Sequence, residues 1–139
     1  MMTSRLKVRD LMSENVLRIG PEDDLATLYG MMREENVRHV PVVDEEGDLV
    51  GLVSHRDLLR GALAFAEELP MLNREDLLSR MFVQEVMISD VETADPEQPI
   101  SEAAAMMLEN KFGCLPVVEG SRLVGILTES DFVRFLAEG

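Results

Sequence analysis

Two short stretches carry residues suited to holding a ligand: Ser54-His55-Arg56-Asp57 and Thr128-Glu129-Ser130-Asp131. Each sets a hydroxyl three residues before a carboxylate, at what reads as the start of a helix. The chemistry open to such a pair is binding. Free N–H groups in the first helical turn, with the helix dipole behind them, attract a phosphate. A carboxylate can accept hydrogen bonds from two neighbouring hydroxyls, such as those of a ribose. The same spacing also describes a capping box, in which hydroxyl and carboxylate satisfy only the helix's own N–H groups. Taken alone, the residues favour the cap.

The neighbours of these pairs differ. Arg56 falls in a first helical turn, where a cation opposes the dipole. A bound phosphate would turn that cost into a charge-assisted contact, whereas a solvated side chain would do nothing. Ser130 occupies the matching place, preceded by Glu129. His39 and His55 lack the Cys/His/Asp spacing of a metal site. Cys114 reads as a small apolar filler. The Met31-Met32 and Met106-Met107 pairs read as core. No nucleophile–base arrangement, Walker loop or G-x-G-x-x-G occurs, so the chain is expected not to be an enzyme.

The elements that must position these residues occur twice. Val8–Val43 aligns with Val83–Val118 at an offset of 75, and Leu49–Leu63 aligns with Leu123–Ala137 at an offset of 74. The copies share Met12/Met87, Pro21/Pro96, Pro41-Val42-Val43/Pro116-Val117-Val118, Gly51/Gly125 and Asp57/Asp131. Matches this widely spread indicate duplication of a structural unit. Each copy predicts a short turn or helix (Val8–Met12), a strand (Val16–Ile19) and a helix (Asp24–Glu35) with Leu25, Leu28 and Met32 on one stripe. A strand (Val40–Val43), a turn at Gly47, a strand (Leu49–Val53) and a helix from Ser54 to about Ala66 follow. In the second copy, Pro99 is expected to open the first helix. The order is β-α-β-β-α, and the unbroken apolar runs suggest strands buried on both faces. Between the copies, Pro70 breaks the chain. Asn73-Arg74-Glu75-Asp76 reads as a fresh helix start, with Leu77, Leu78, Met81 and Phe82 on its apolar side.

Composition narrows the function classes. Of 139 residues, 27 are acidic and 13 are Lys or Arg, giving a net charge of −14. Such a surface disfavours nucleic acid and anionic membrane, although a local basic pocket can still hold a small anion. One cysteine allows no internal disulfide, which fits a reducing compartment. No signal-like segment or run of bilayer-spanning length is present. A cytoplasmic location is expected.

The repeat resembles the CBS domain in its usual tandem pair, the Bateman module. The resemblance rests on Val8-Arg9-Asp10-Leu11-Met12, Val40-Pro41-Val42-Val43-Asp44 and Leu49–Asp57, and on their counterparts Val83–Met87, Leu115–Glu119 and Leu123–Asp131. It implies an α/β (α+β) fold of two β-α-β-β-α repeats packed sheet to sheet about a pseudo-twofold axis. The domains would run 7–64 and 82–139, with a helical connector at 65–81. It also implies two clefts between the repeats that take AMP, ADP, ATP or S-adenosylmethionine as regulatory ligands, with no other cofactor. Asp57 and Asp131 would take the ribose, and Ser54 and Thr128 would lie near it or the phosphate. By the family's cross-repeat pattern, Val91–Ala94 (Thr93 and Ala94 included), Gly113, Cys114, Leu115 and Pro116 would complete the Asp57 cleft. Leu17–Ile19 (Arg18 and Ile19 included), Arg38, His39, Val40 and Pro41 would complete the Asp131 cleft. His55 and Arg56 would favour a phosphate at Asp57, unless Arg18, Arg38 and His39 compensate at the other. A homodimer built through the helices, acting on a separate regulated protein, is the expected assembly. The other reading is an interaction module whose clefts have lost their ligand.

Overall fold

A computed structural model describes residues 6–110 and 113–138. Lys111, Phe112 and Gly139, which the second repeat was expected to include, lie outside the described residues. The elements are α1 (Val8–Leu11), α2 (Leu25–Glu35), β1 (His39–Val43), β2 (Leu49–Ser54), α3 (His55–Glu68) and α4 (Arg74–Ser79). A 3-10 turn (Val83–Glu85), α5 (Ile100–Asn110), β3 (Cys114–Glu119), β4 (Arg122–Thr128) and α6 (Glu129–Glu138) complete the order.

Local chemistry accounts for the boundaries. Asp24 caps α2 by accepting from the Thr27 N–H, and Asn36 ends it in the left-handed region at φ 53°. Asn tolerates that conformation through local hydrogen bonding of its short side chain. Leu25, Leu28 and Met32 form the buried stripe. The β1–β2 and β3–β4 hairpins turn at Gly47 (φ 88°) and Gly120 (φ 65°), where a Cβ would be strained. Both hairpins are antiparallel and slip register at matching points, Val42/Val43 and Val117/Val118.

Two expectations are corrected. Val16–Ile19 is not a full strand: it reduces to one parallel bridge, Ile19 to Val42, and Ala94 bridges Val117 in the same way. Burial on both faces holds for Val40–Val43 of β1 and Cys114–Val117 of β3, whereas β2 and β4 alternate. Pro99 stands one residue before α5, where its carbonyl accepts from the Glu102 N–H at 3.0 Å.

The chain divides into two compact units that do not coincide with the repeats. One is continuous, Leu17–Val91; the other joins the described residues up to Val16 to those from Glu92 onward. In the continuous unit, Ile19, Leu25, Leu28, Met32, Val40, Val42, Val53 and Leu58 share a core with Leu78, Met81 and Val83. The connector helix α4 is thus part of that core. The Val83 N–H donates to Asp23 O at 2.8 Å, and Ile88 pairs with Leu52 at the free edge of β2. In the discontinuous unit, Val8 and Leu11 join Ala94, Ile100, Ala103, Met107, Leu115, Val117 and Leu127. There the Val8 N–H donates to Gln98 O at 2.9 Å, and Ser13 pairs with Ile126 on β4. The opening segment of each repeat therefore packs on the hairpin of the other repeat.

Candidate functional site

In the continuous unit, the register sets His39 opposite Ser54, so the start of β1 stands beside the start of α3. The Arg38 carbonyl accepts from the His55 N–H at 2.8 Å and fixes that junction. The capping box is formed: Ser54 Oγ accepts from the Asp57 N–H at 3.0 Å, and the Ser54 N–H donates to Asp57 Oδ2 at 2.9 Å. Asp57 Oδ1 has Arg60 Nη1 at 4.0 Å, beyond hydrogen-bond reach. Its side chain is 13% exposed. The cap accounts for one carboxylate oxygen, and the other accepts no hydrogen bond among the described residues.

The surroundings of His55, two residues before Asp57, are basic and aromatic. His55 stacks on Tyr29 with ring centroids 6.3 Å apart, and Arg33 and Arg74 lie over the same ring at 5.7 and 5.8 Å. A cavity of about 500 Å3 is lined by Met32, Arg33, Asn36, Val37, Arg38 and His55. Arg56 is exposed. Among the described residues, neither Arg56 nor Arg33 nor Arg38 has a carboxylate within ion-pair distance. Burial lowers the pKa of His39 below the ordinary 6.5, and the charge of Asp57 opposes that shift. Burial thus favours the neutral ring of His39.

Arg18 and Ile19 open on a different cavity, of about 550 Å3, which Glu22, Asp23, Asp44, Glu45 and Glu46 also line. Five carboxylates against one guanidinium repel a phosphate, so Arg18 is a poor candidate for compensating a weak anion site. Val40 and Pro41 are buried in the sheet.

In the discontinuous unit, Cys114 pairs with Thr128, and Leu115 and Pro116 follow along β3. The Ala94 N–H donates to Pro116 O at 2.9 Å, placing Thr93 and Ala94 along the same strand, and Gly113 O accepts from the Glu129 N–H at 3.3 Å. Ser130 is exposed. Asp131 is buried, its side chain 1% exposed. Its Oδ2 accepts from Thr128 N at 2.8 Å and Thr128 Oγ1 at 3.2 Å, and its Oδ1 from Ser13 Oγ at 3.1 Å and Arg134 Nη1 at 2.9 Å. Cys114 is buried, and burial pushes its thiol up to about 12, which keeps it protonated and inert.

Within each unit the predicted residues group by repeat: Arg38, His39, Val40 and Pro41 with Ser54–Asp57, and Thr93, Ala94 and Gly113–Pro116 with Thr128–Asp131. The cross-repeat pairing that the resemblance implies joins residues of different units. Sequence reasoning missed Tyr29, Arg33, Ser13 and Arg134. Arg60/Arg134 was legible as an arginine three residues after both Asp residues. Ser13 carried no signal, being far in sequence from its partner.

Comparison with known proteins agrees with this architecture. The CBS domain profile matches residues 8–64 and 83–138. The chain is 33% identical to MJ1225 of Methanocaldococcus jannaschii over 129 residues, 93% of this chain and 42% of that protein. It covers 32% and 24% of two further curated relatives, so it spans less than half the length of these proteins. A CBS domain-containing protein of Dictyostelium discoideum is 30% identical over 138 residues, 95% of this chain and 92% of the other. Among solved structures, AcuB of Vibrio cholerae superposes with TM-score 0.81 at 36% identity, covering 96% of this chain and 91% of that one. CBSX2, solved in complex with AMP, gives 0.79 at 30% identity, covering 95% and 96%. The CBS domain pair of MJ0100, solved with 5'-methylthioadenosine and S-adenosyl-L-methionine, gives 0.77 at 26% identity, covering 96% and 97%. With both repeats matched and solved domain pairs sharing the fold over nearly its whole length, the chain belongs to the CBS domain family.

Proposed function

We propose that the chain is a regulatory module that binds an adenosyl ligand, with Asp57 on the ribose and Arg56 on the phosphate. The observation that carries this reading is the state of Asp57. One oxygen holds the cap, and the other accepts no hydrogen bond among the described residues, at the N-terminal end of a 14-residue helix, next to an exposed arginine with no ion pair among those residues. A ribose supplies the two hydroxyl donors such a carboxylate accepts, and the relatives solved with AMP or S-adenosylmethionine make adenosyl ligands the class to test. Calorimetric titration with AMP, ATP, S-adenosylmethionine and adenosine is the experiment. AMP should bind more tightly than adenosine by about tenfold or more, since a hydrogen bond to a charged group contributes roughly 1.5–3 kcal/mol. Absence of binding by all four would overturn the reading.

A second reading, an interaction module, is favoured by apolar side chains left open on two helices. Leu63 on α3 is 68% exposed and Leu136 on α6 is 77% exposed, with Leu59 and Val133 also exposed. Single exposed apolar residues are ordinary; pairs on one helix suit a second copy of the chain. A homodimer is the expected state, and light scattering that finds a monomer at high concentration, with and without AMP, would exclude it.

A further inference from the structure

The duplicated repeats serve as controls for each other, and their carboxylates differ in the number of donors they receive. An ionised carboxylate offers about four lone-pair sites to donors. Asp131 receives four donors, from Thr128 N, Thr128 Oγ1, Ser13 Oγ and Arg134 Nη1. Asp57 receives Ser54 N, with Arg60 held off at 4.0 Å. The frames around the two are alike. Ile88 pairs with Leu52, and Ser13 pairs with Ile126, one residue after Gly51 and Gly125 respectively. Both glycines admit this close approach: a Cβ on Gly51 would lie 3.1 Å from Ile88 O, and one on Gly125 would lie 3.0 Å from Ser13 O. Arg60 and Arg134 are the same residue at the same position. Thr128 Oγ1 donates to its carboxylate where Ser54 Oγ does not, and the side chain at the crossing also changes: Ser13 brings a hydroxyl where Ile88 brings a hydrocarbon.

We propose that Ser13, together with Arg134, closes Asp131 to a ligand's hydroxyls and so makes it the weaker of two unequal sites. The inference rests on the adenosyl-binding reading above. At Asp57 a ribose adds hydrogen bonds to an open oxygen. At Asp131 it must first displace Ser13 Oγ and Arg134 Nη1 from Oδ1, exchanging one set of bonds for another at little gain. Arg134 is 54% exposed and can turn to water. Ser13 is held by a reciprocal backbone pair with Ile126, both bonds 2.9 Å, so its hydroxyl is the persistent competitor. The two sites then fill at different ligand concentrations.

The test is AMP calorimetry on full-length protein in which one site is isolated at a time. Asp57→Asn leaves the Asp131 site, and Asp131→Asn leaves the Asp57 site. Adding Ser13→Ala to the Asp57→Asn protein should tighten AMP about five- to tenfold, a gain of up to one charged hydrogen bond. Adding it to the Asp131→Asn protein should change affinity by less than about twofold. The reverse graft, Ile88→Ser in the Asp131→Asn protein, should weaken AMP several-fold, and it keeps the idea testable if Ser13→Ala lowers the melting temperature. Unchanged or weaker AMP binding at the Asp131 site on removal of Ser13, or no weakening with Ile88→Ser, overturns the inference while leaving the adenosyl reading intact. If AMP, ATP, S-adenosylmethionine and adenosine all fail to bind the wild-type protein, the adenosyl reading itself fails and this inference with it.

Discussion

Asp57→Ala is expected to weaken AMP, ATP and adenosine alike, each by tenfold or more, because all three present the same ribose. The estimate follows from the loss of charge-assisted hydrogen bonds, about 1.5–3 kcal/mol. The same substitution removes the acceptor for the Ser54 N–H and should cost stability of about 1 kcal/mol, the usual value of a lost cap. The two effects separate in measurement. Calorimetry well below the melting transition reads affinity; urea denaturation reads the cap. Arg56→Ala is the companion: it should weaken AMP and ATP by about tenfold and adenosine by much less, since the missing contact is to phosphate. If Asp57→Ala shifts only the denaturation midpoint and leaves affinity unchanged, the residue is a cap and nothing more.

Gly51→Ala and Gly125→Ala should each destabilise the protein by about 1–3 kcal/mol, the range for forcing extra atoms into packed structure. A Cβ on Gly51 would fall 2.6 Å from Met87 Sδ and 3.1 Å from Ile88 O; on Gly125 it would fall 2.8 Å from Met12 Sδ and 3.0 Å from Ser13 O. The methionine tips can swing aside, but the carbonyls are held. Ile88 O accepts from the Leu52 N–H, and Ser13 O accepts from the Ile126 N–H, each at 2.9 Å. The backbone crossing itself must therefore move. Against a total stability of about 5–15 kcal/mol for an ordinary domain, that loss should appear as a lower urea midpoint at unchanged slope. A change below about 0.5 kcal/mol at both positions would mean that the crossings yield freely.

What the sequence disclosed and what it hid divide along a physical line. The stripe of Leu25, Leu28 and Met32, the turn at Gly47 and the capping box of Ser54 and Asp57 are local patterns, and each appears in the structure where its spacing placed it. The exchange of opening segments is not local. Val8–Met12 and Val83–Met87 carry nearly the same apolar pattern, so either would suit either hairpin. Periodicity reports that a residue is buried without saying against what. The short strand at Val16–Ile19 reduced to one bridge for a related reason: apolar character does not say how far a segment will pair. Asp131 was legible as a candidate through its motif, but its occupancy was not, because Ser13 lies 118 residues away. The resemblance supplied the family and its ligand class; the residue spacing alone favoured the cap.

The interrupted unit has a consequence for how the chain is made. Residues 17–91 are contiguous and can collapse as soon as they leave the ribosome. Residues 6–16 emerge earlier, yet their hairpin partner, β4, lies near the far end of the chain. At about 5–20 residues per second, the wait lasts on the order of seconds. Through that interval Val8 and Leu11, fully or nearly fully buried in the finished protein, have no hairpin of their own to cover them. The Gly51 crossing, which receives Met87 and Ile88, is vacant for part of the same period. A nascent chain that seated Met12–Ser13 there would have to release it before the native exchange could close, so the duplication of the repeat also gives its synthesis a decoy.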